Sequence, residues 1–247
     1  MIIDNALVLD NFKIAKDTYL MKIQASFQKD IKPGQFVNIR ISGHYLRRPI
    51  SVSSIEDDHF TIIYKIVGEG TRDLAKVQKG QKIDVMGSLG RFFSIHEDLD
   101  QVLLVGGGVG IPPLYEVAKR YKKLGKRLVV VLGFRSKEEV FLEEEFKKLS
   151  PETYVATDDG SYGFKGNVID LIDDKKIDID FVYSVGPRPM LRALQERYDK
   201  GYVSLEERMA CGVGLCMGCV CKDKNNPEKS YRVCKEGPVF EIGKVVI

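Results

Sequence analysis

Over the first 97 residues apolar and polar positions alternate in short runs, and beyond that point two periods are interleaved. Gln35-Phe36-Val37-Asn38-Ile39-Arg40-Ile41 alternates residue by residue, the pattern of a half-buried strand. Residues 19–24, 60–67 and 82–86 are runs of similar character, rich in Ile, Val, Phe and Tyr. Pro33-Gly34, Ser42-Gly43, Asp57-Asp58, Gly80 and Gly87 separate them as turns. Five or six short strands at such spacing predict a small antiparallel barrel over residues 1–97.

From residue 98 to 205 strands alternate with helices. Buried strands are predicted over residues 101–105, 128–132, 153–157, 181–185 and 202–205. Helices are predicted over 114–124, stopped by Gly125, over 167–172 and over 189–200. Ser136 and Glu139 have the spacing of a capping box, which predicts a further helix from there to Leu149. This alternation predicts a parallel sheet covered on both faces. The fold class is thus all-β followed by α/β, with residues 206–247 left as a small cysteine-bearing module.

Composition narrows the field without deciding it. A chain of 247 residues with 44% hydrophobic and 30% charged content is ordinary for a globular protein. The net charge of +3 is too small to argue for nucleic acid or a membrane surface. No apolar run approaches the roughly 20 residues of a membrane helix. The N-terminus, Met1-Ile2-Ile3-Asp4-Asn5, lacks the pattern of a secretory signal, which predicts a reducing, cytoplasmic setting.

Candidate chemistry is concentrated in four cysteines, Cys211, Cys216, Cys219 and Cys234. They read C-x4-C-x2-C followed by a distant fourth, the spacing that holds a [2Fe–2S] cluster in plant-type ferredoxins. Gly212, Gly214 and Gly218 let the backbone wrap closely, so that its N–H groups can reach the sulfurs. Four thiolates also suit zinc, although structural zinc sites usually pair their cysteines on two short arms. Cys221 is a fifth, spare cysteine and is expected to be a buried bystander. A cluster of this kind moves single electrons, so the chain reads as a carrier of electrons.

Two glycine turns and one arginine motif add nucleotide chemistry. The strand at 101–105 runs into Gly106-Gly107-Gly108-Val109-Gly110-Ile111-Pro112-Pro113 and then a helix. Such a turn admits a phosphate close to backbone N–H groups, although a purely structural turn looks the same. The strand at 181–185 ends likewise in Gly186-Pro187 before a helix, so Gly108, Gly110, Gly186 and Pro187 are expected along one sheet edge. In the barrel, Arg47-Arg48-Pro49-Ile50-Ser51 offers a guanidinium for a phosphate and a hydroxyl for a ring, or simply two solvated arginines. Tyr64-Lys65-Ile66-Val67-Gly68-Glu69-Gly70-Thr71 leaves a strand into a further glycine turn.

Taken together, these motifs resemble the ferredoxin-reductase family. Arg48-Pro49-Ile50-Ser51 resembles its flavin motif, Gly108 to Pro113 its nicotinamide turn, and Val185-Gly186-Pro187-Arg188-Pro189-Met190 its later C-G-P-x-x-M element with valine for cysteine. The resemblance implies an FAD-binding barrel, a NAD-binding parallel-sheet domain over 98–205 and a [2Fe–2S] module. It further implies that Arg48 holds the FAD pyrophosphate with Gly70 and Thr71 nearby. Pro49, Ile50 and Ser51 would flank the isoalloxazine, to which Lys65, Ile66 and Val67 would present backbone. The flanks of the cysteines, Glu207-Arg208-Met209-Ala210 and Lys235-Glu236-Gly237-Pro238, are similar to those of electron-transfer subunits of class 1B dihydroorotate dehydrogenases. That similarity implies a place in pyrimidine biosynthesis. It also implies an FMN-containing catalytic partner that oxidises dihydroorotate, in a heterotetramer with two subunits of each kind. Flavin and cluster subunits of ferredoxin:NAD(P)+ oxidoreductases and hydrogenases share this architecture, and a redox-sensing cluster protein is the non-enzymatic alternative. No acid–base residue is required, so His44, His59 and His96 are not catalytic candidates. Met209, Met217 and Val239 are expected to face the partner, while Arg135 and Arg188 leave the choice between NADH and NADPH open.

Overall fold

A computed structural model describes residues 2–247. Six antiparallel strands come first: β1 (Ile2–Ala15), β2 (Thr18–Gln24), β3 (Phe36–Ile39), β4 (Arg48–Ile55), β5 (Phe60–Lys65) and β6 (Lys82–Leu89). They close into a barrel in the order β1-β2-β5-β4-β3-β6, which leaves no exposed sheet edge. Its interior is filled by Val8, Met21, Ile23, Val37, Ile39, Phe60, Ile62 and Val85, the inward positions of an alternating pattern. A short helix α1 (Glu69–Leu74) joins β5 to β6.

The second half contains β7 (Gln101–Gly107), α2 (Pro112–Lys123), β8 (Arg127–Phe134), α3 (Glu143–Leu149), β9 (Thr153–Thr157), β10 (Phe164–Lys165), α4 (Val168–Asp174), β11 (Phe181–Val185), α5 (Arg188–Arg197) and β12 (Lys200–Ser204). The sheet order is β10-β9-β8-β7-β11-β12, all parallel. The chain moves one way from β7 to β8 and later returns to the other side as β11. The topological switch point therefore lies at the C-terminal ends of β7 and β11, where open α/β sheets bind ligands. A two-stranded ribbon, β13 (Val220–Lys222) and β14 (Ser230–Arg232), and a last strand β15 (Val239–Glu241) complete the chain. β15 adds antiparallel to β12, so the cysteine-bearing segment is hydrogen-bonded into the parallel sheet.

One predicted helix is broken. Ser136 makes no side-chain cap, residues Lys137–Glu139 form a single 3-10 turn, and α3 begins only at Glu143 after Leu142 adopts a left-handed φ of 61°. Two tertiary contacts override the local signal. Phe141 is buried edge-on against Phe134, and the Glu139 carboxylate pairs with Lys65 Nζ of the barrel at 2.8 Å instead of capping the turn. The cap that does form is Asn167, whose Oδ1 accepts the N–H groups of Ile169 and Asp170 at the start of α4.

Besides the Lys65–Glu139 pair, three devices fix the barrel to the sheet. Glu116 on α2 is 1% exposed, and its carboxylate accepts the Ile55 N–H at 3.0 Å while pairing with Lys119 and Arg120. Lys119 in turn donates to Ser54 Oγ, the Ile55 carbonyl and Glu56. The linker after β6 is held by tyrosines: Tyr183 Oη donates to the Ser94 carbonyl and meets Tyr121 Oη at 2.8 Å. His96 joins the same cluster through Tyr202 Oη at 3.0 Å. Lys16 pairs with Glu138 by side chain and by backbone, the third tie. Replacing Glu116 by Ala removes the acceptor for a half-buried N–H and strands Lys119 in a partly covered site, so urea denaturation should show a loss of about 1–3 kcal/mol; unchanged stability would remove Glu116 from this role.

Candidate redox cleft and cysteine loop

The barrel wall and the sheet edge enclose two adjoining cavities. The first, of about 270 Å³, is lined by Phe36, Pro49, Ile50, Ser51, Lys65 and Thr71 from the barrel, with Val109, Leu205, Glu206 and Met209 from the other side. The second, of about 480 Å³, lies at the switch point and is lined by Gly108, Gly110, Gly186 and Pro187 together with Arg135, Asp158 and Met190. Lys65, Val67, Val109 and Glu206 line both cavities. A ring in the first and a ring in the second would therefore meet across a common wall. Glu206 is reached by solvent through the cleft mouth, yet the surrounding walls desolvate its carboxyl and hold it above the usual carboxylate range.

Glycine at 110 is dictated by close approach: a Cβ there would press on the Val185 carbonyl and the Gly186 nitrogen, where the two glycine turns touch. Gly107 meets Pro187 and Met190 in the same way. All four residues expected on this edge, Gly108, Gly110, Gly186 and Pro187, are brought together. Arg135 lines the cavity, whereas Arg188 points away and pairs with Glu207. Asp158 stands beside Arg135, because the turn after β9 is tied by its N–H groups to the Phe134 and Arg135 carbonyls. No acid ends β8 itself; the turn after the neighbouring strand β9 supplies one.

The arginine pair divides its work. Arg47 forks onto the Asp84 carboxylate at 2.8 and 3.0 Å and is a barrel brace. Arg48 turns the other way, onto the Leu46 carbonyl and the His44 Nδ1 at 3.3 Å, with its guanidinium flat against Gly70. A Cβ at Gly70 would meet that guanidinium and oblige it to move. Pro49, Ile50 and Ser51 follow along the cavity floor. Ile66 departs from expectation: it does not line the cavity, and its N–H is already bonded to the Asp17 carbonyl at 2.7 Å, because Lys65 and Val67 take the inward positions. Thr71 lines the cavity but engages its hydroxyl with the Gly68 carbonyl and the Val67 and Gly68 N–H groups, while its own carbonyl accepts the Ala75 N–H. The contact of His44 with Arg48 depends on a fold that brings a loop back onto α1.

The four cysteines lie in two pairs. Cys211 and Cys216 are 3.3 Å apart sulfur to sulfur, and Cys234 donates its N–H to Cys219 Sγ at 3.5 Å. Gly214 N–H points at Cys234 Sγ and Cys216 N–H at Cys211 Sγ. Gly212 and Gly214 both need left-handed φ values, 69° and 80°, to make this wrap. Burial opposes ionisation of Cys211, but the N–H groups of Cys216, Val213 and Leu215 outweigh it and bring the thiol down to about 6. Burial and the neighbouring Cys219 push Cys234 the other way, up to about 12, so the N–H groups favour a thiolate at Cys211 but not at Cys234. Among the described residues no three His, Cys, Asp or Glu groups close on one point. Two pairs of sulfurs fit a two-iron cluster better than a single tetrahedral zinc. Cys221 is 6% exposed and pushed up to about 11 by burial, an inert thiol as expected.

The cysteine loop touches the first cavity. Leu205, Glu206, Glu207 and Met209 line it on the way to Cys211, and Phe36 lines it while packing in one core with Cys219 and Cys234. Around the loop Leu215 is 87% exposed and Met217 63% exposed, with Val220 beside them in sequence and also open to solvent. Val239, expected on that face, is instead 5% exposed within the core, because β15 carries it into the sheet opposite Ser204.

Comparison with known proteins accords with this geometry. Residues 206–246 match the iron-sulfur cluster binding domain of dihydroorotate dehydrogenase B, and residues 104–196 match the oxidoreductase NAD-binding domain. The dihydroorotate dehydrogenase B (NAD(+)), electron transfer subunit of Fusobacterium nucleatum is 51% identical over the whole of both chains. That of Bacillus mycoides is 46% identical over 98% of each. A solved chain of an NADH-dependent reduced ferredoxin-NADP oxidoreductase superposes with a TM-score of 0.87 at 34% identity, covering 98% of this chain and 89% of that one. The protein is an oxidoreductase subunit with a ferredoxin-reductase-like fold. It belongs to the family of dihydroorotate dehydrogenase B (NAD(+)) electron transfer subunits.

Proposed function

We propose that this chain carries electrons from a catalytic subunit that oxidises dihydroorotate with bound FMN to NAD+. It would do so with FAD in the cleft and a [2Fe–2S] cluster on Cys211, Cys216, Cys219 and Cys234. The observation that carries this reading is the continuity of one wall: Phe36 and the segment from Leu205 to Met209 border both the cleft and the cysteine loop. When bound, FAD exchanges a hydride with nicotinamide and single electrons with an iron–sulfur cluster, which is why a carrier between them needs it. Dihydroorotate loses two electrons and two protons; NAD+ takes up a hydride, and one proton leaves to solvent.

The residues supply binding, orientation and exclusion of water. Arg48 holds the FAD pyrophosphate, with the backbone of Gly70 and Thr71 alongside. Pro49, Ile50 and Ser51 form the floor for the isoalloxazine, Lys65 and Val67 its side, and Val109 the wall towards the nicotinamide. Gly108, Gly110, Gly186 and Pro187 bring backbone close to the nicotinamide nucleotide at the switch point. Arg135 and Asp158 face its adenosine end, where a carboxylate favours a free ribose diol over a 2′-phosphate and hence NADH. Leu215, Met217 and Val220 present an apolar face beside the cysteines to the catalytic subunit. Two subunits of each kind would form the assembly. Five unpaired cysteines suit a reducing, cytoplasmic setting, and among the described residues no helix is long and apolar enough to cross a membrane.

A ferredoxin-linked function is the second reading, favoured by the 34% identical solved chain; the 51% identical relative favours dihydroorotate. Replacing Cys216 by Ala should abolish orotate formation with NAD+ in the assembled complex while leaving bleaching of FAD by NADH intact. Orotate formation at the wild-type rate would exclude the cysteine loop from the path. Replacing Arg48 by Ala should lower the flavin content of the purified protein, and full flavin content would move the pyrophosphate site elsewhere.

A further inference from the structure

The barrel strand β3 carries one polar side chain that the barrel itself does not use. Val37 and Ile39 point inward and fill the barrel core, so Asn38 between them points out. Its cross-strand neighbours on that outer face are Pro49 of β4 and Met86 of β6. The cysteine loop covers this point: a Cβ at Gly212 would sit 2.3 Å from Asn38 Nδ2. Asn38 is thereby 1% exposed, and its Oδ1 is buried without a partner.

An amide buried in such company costs stability unless both its ends are bonded, and a leucine would fill the same space without that cost. An unpaired buried polar group in a folded protein therefore calls for a missing partner or a redox role. Among the described residues two other buried side-chain atoms lack a partner, Gln195 Oε1 and Tyr198 Oη, and both belong to α5 or its C-terminal end, outside the walls of the cleft. The backbone of Asn38 is fixed where it stands, because Arg47 donates to its carbonyl at 3.2 Å while forking onto Asp84. Its amide plane is not fixed: with Oδ1 unbonded, the N–H groups can turn towards an acceptor held by the loop. Pro49 lines the first cavity, and Phe36, two residues earlier on the same face of β3, lines it and packs with Cys219 and Cys234. The outer face of β3 thus runs from the first cavity to the cysteine loop, which Asn38 touches next to Cys211.

We propose that Asn38 is a positioning residue for the [2Fe–2S] cluster: its amide seats the loop from Cys211 to Cys216 on the barrel and donates a hydrogen bond to cluster sulfur, which raises the potential at which the cluster takes up an electron. The inference rests on the reading of the four cysteines as cluster ligands. The reduced cluster carries one more negative charge than the oxidised one, so a donor at its sulfur favours reduction, and the charge-assisted bond offsets the bare Oδ1. Gly212 is then required twice, for its left-handed φ of 69° and for the space that the amide takes.

Redox titration of the purified full-length chain carrying FAD and cluster, followed by electron paramagnetic resonance of the reduced cluster, tests this. Asn38→Leu keeps the volume and removes the donor. It should lower the ratio of reduced to oxidised cluster at a fixed potential roughly tenfold, about 59 mV for one electron, and leave the FAD midpoint unchanged. An unshifted or raised cluster midpoint, or an equal shift of the FAD midpoint, overturns the proposal whatever happens to the melting temperature, since a merely structural amide alters stability alone. A second measurement needs no variant. With heavy nitrogen confined to the asparagine side-chain amides, the spin-echo modulation of the reduced wild-type cluster should show a nitrogen coupling. Its absence overturns the proposal, and this arm decides the matter where Asn38→Leu does not retain the cluster. A wild-type chain in which dithionite develops no [2Fe–2S] signal contradicts the cluster assignment itself, which is a separate result.

Discussion

Lys65, Val67, Val109 and Glu206 form a wall common to the two cavities of the cleft, and the segment that follows Glu206 runs directly into the cysteine loop. Electron and hydride exchange both require close, fixed approach of the exchanging groups. The barrel, the sheet and the C-terminal module must therefore be held in one relative position. A shift of any one of them would open the wall that they share.

The ties that hold this position are buried or partly buried polar contacts backed by packing. Glu116 reaches from α2 to the Ile55 backbone, and its near-complete burial gives the carboxylate no alternative partner in water. The linker tyrosines place their rings in one aromatic cluster with Phe93 and Phe181 while their hydroxyls satisfy the linker backbone and one another. The Lys65–Glu139 pair crosses from barrel to sheet domain at the cleft itself, with both side chains mostly covered. β15 joins the cysteine module to β12, and its Val239 and Phe240 are buried on opposite sides of that strand pair. Each of the three segments is thus anchored to another by contacts remote in sequence.

Much of this was legible in the sequence where the signal is local. The cysteine spacing, the two glycine turns and Arg48 with its Pro-Ile-Ser tail are short motifs whose chemistry depends on a few neighbouring residues, and the fold gathers the glycine turns and the Pro-Ile-Ser tail onto the walls of one cleft. The βαβ alternation gave the parallel sheet for the same reason. Features set by distant contacts were not legible. β1 has register shifts near Val8 and Lys13 that blur its alternation, so the longest strand, Ile2–Ala15, carried no clear pattern. Ser136 and Glu139 had the spacing of a cap, but a barrel lysine claimed the glutamate. Val239 read as a surface residue because nothing near it in sequence reveals that β15 pairs with β12. His44, Tyr45 and Glu116 acquire their surroundings only when the loop after β3 folds onto α1 and α2 docks on β4.

Low-temperature electron paramagnetic resonance of the purified chain after anaerobic addition of NADH tests the central claim most directly. Continuity from the nicotinamide edge through the flavin cleft to the cysteine loop predicts that bleaching of FAD is accompanied by the signal of a reduced [2Fe–2S] cluster. A cluster that can be reduced by dithionite but stays silent while NADH bleaches the flavin would contradict it.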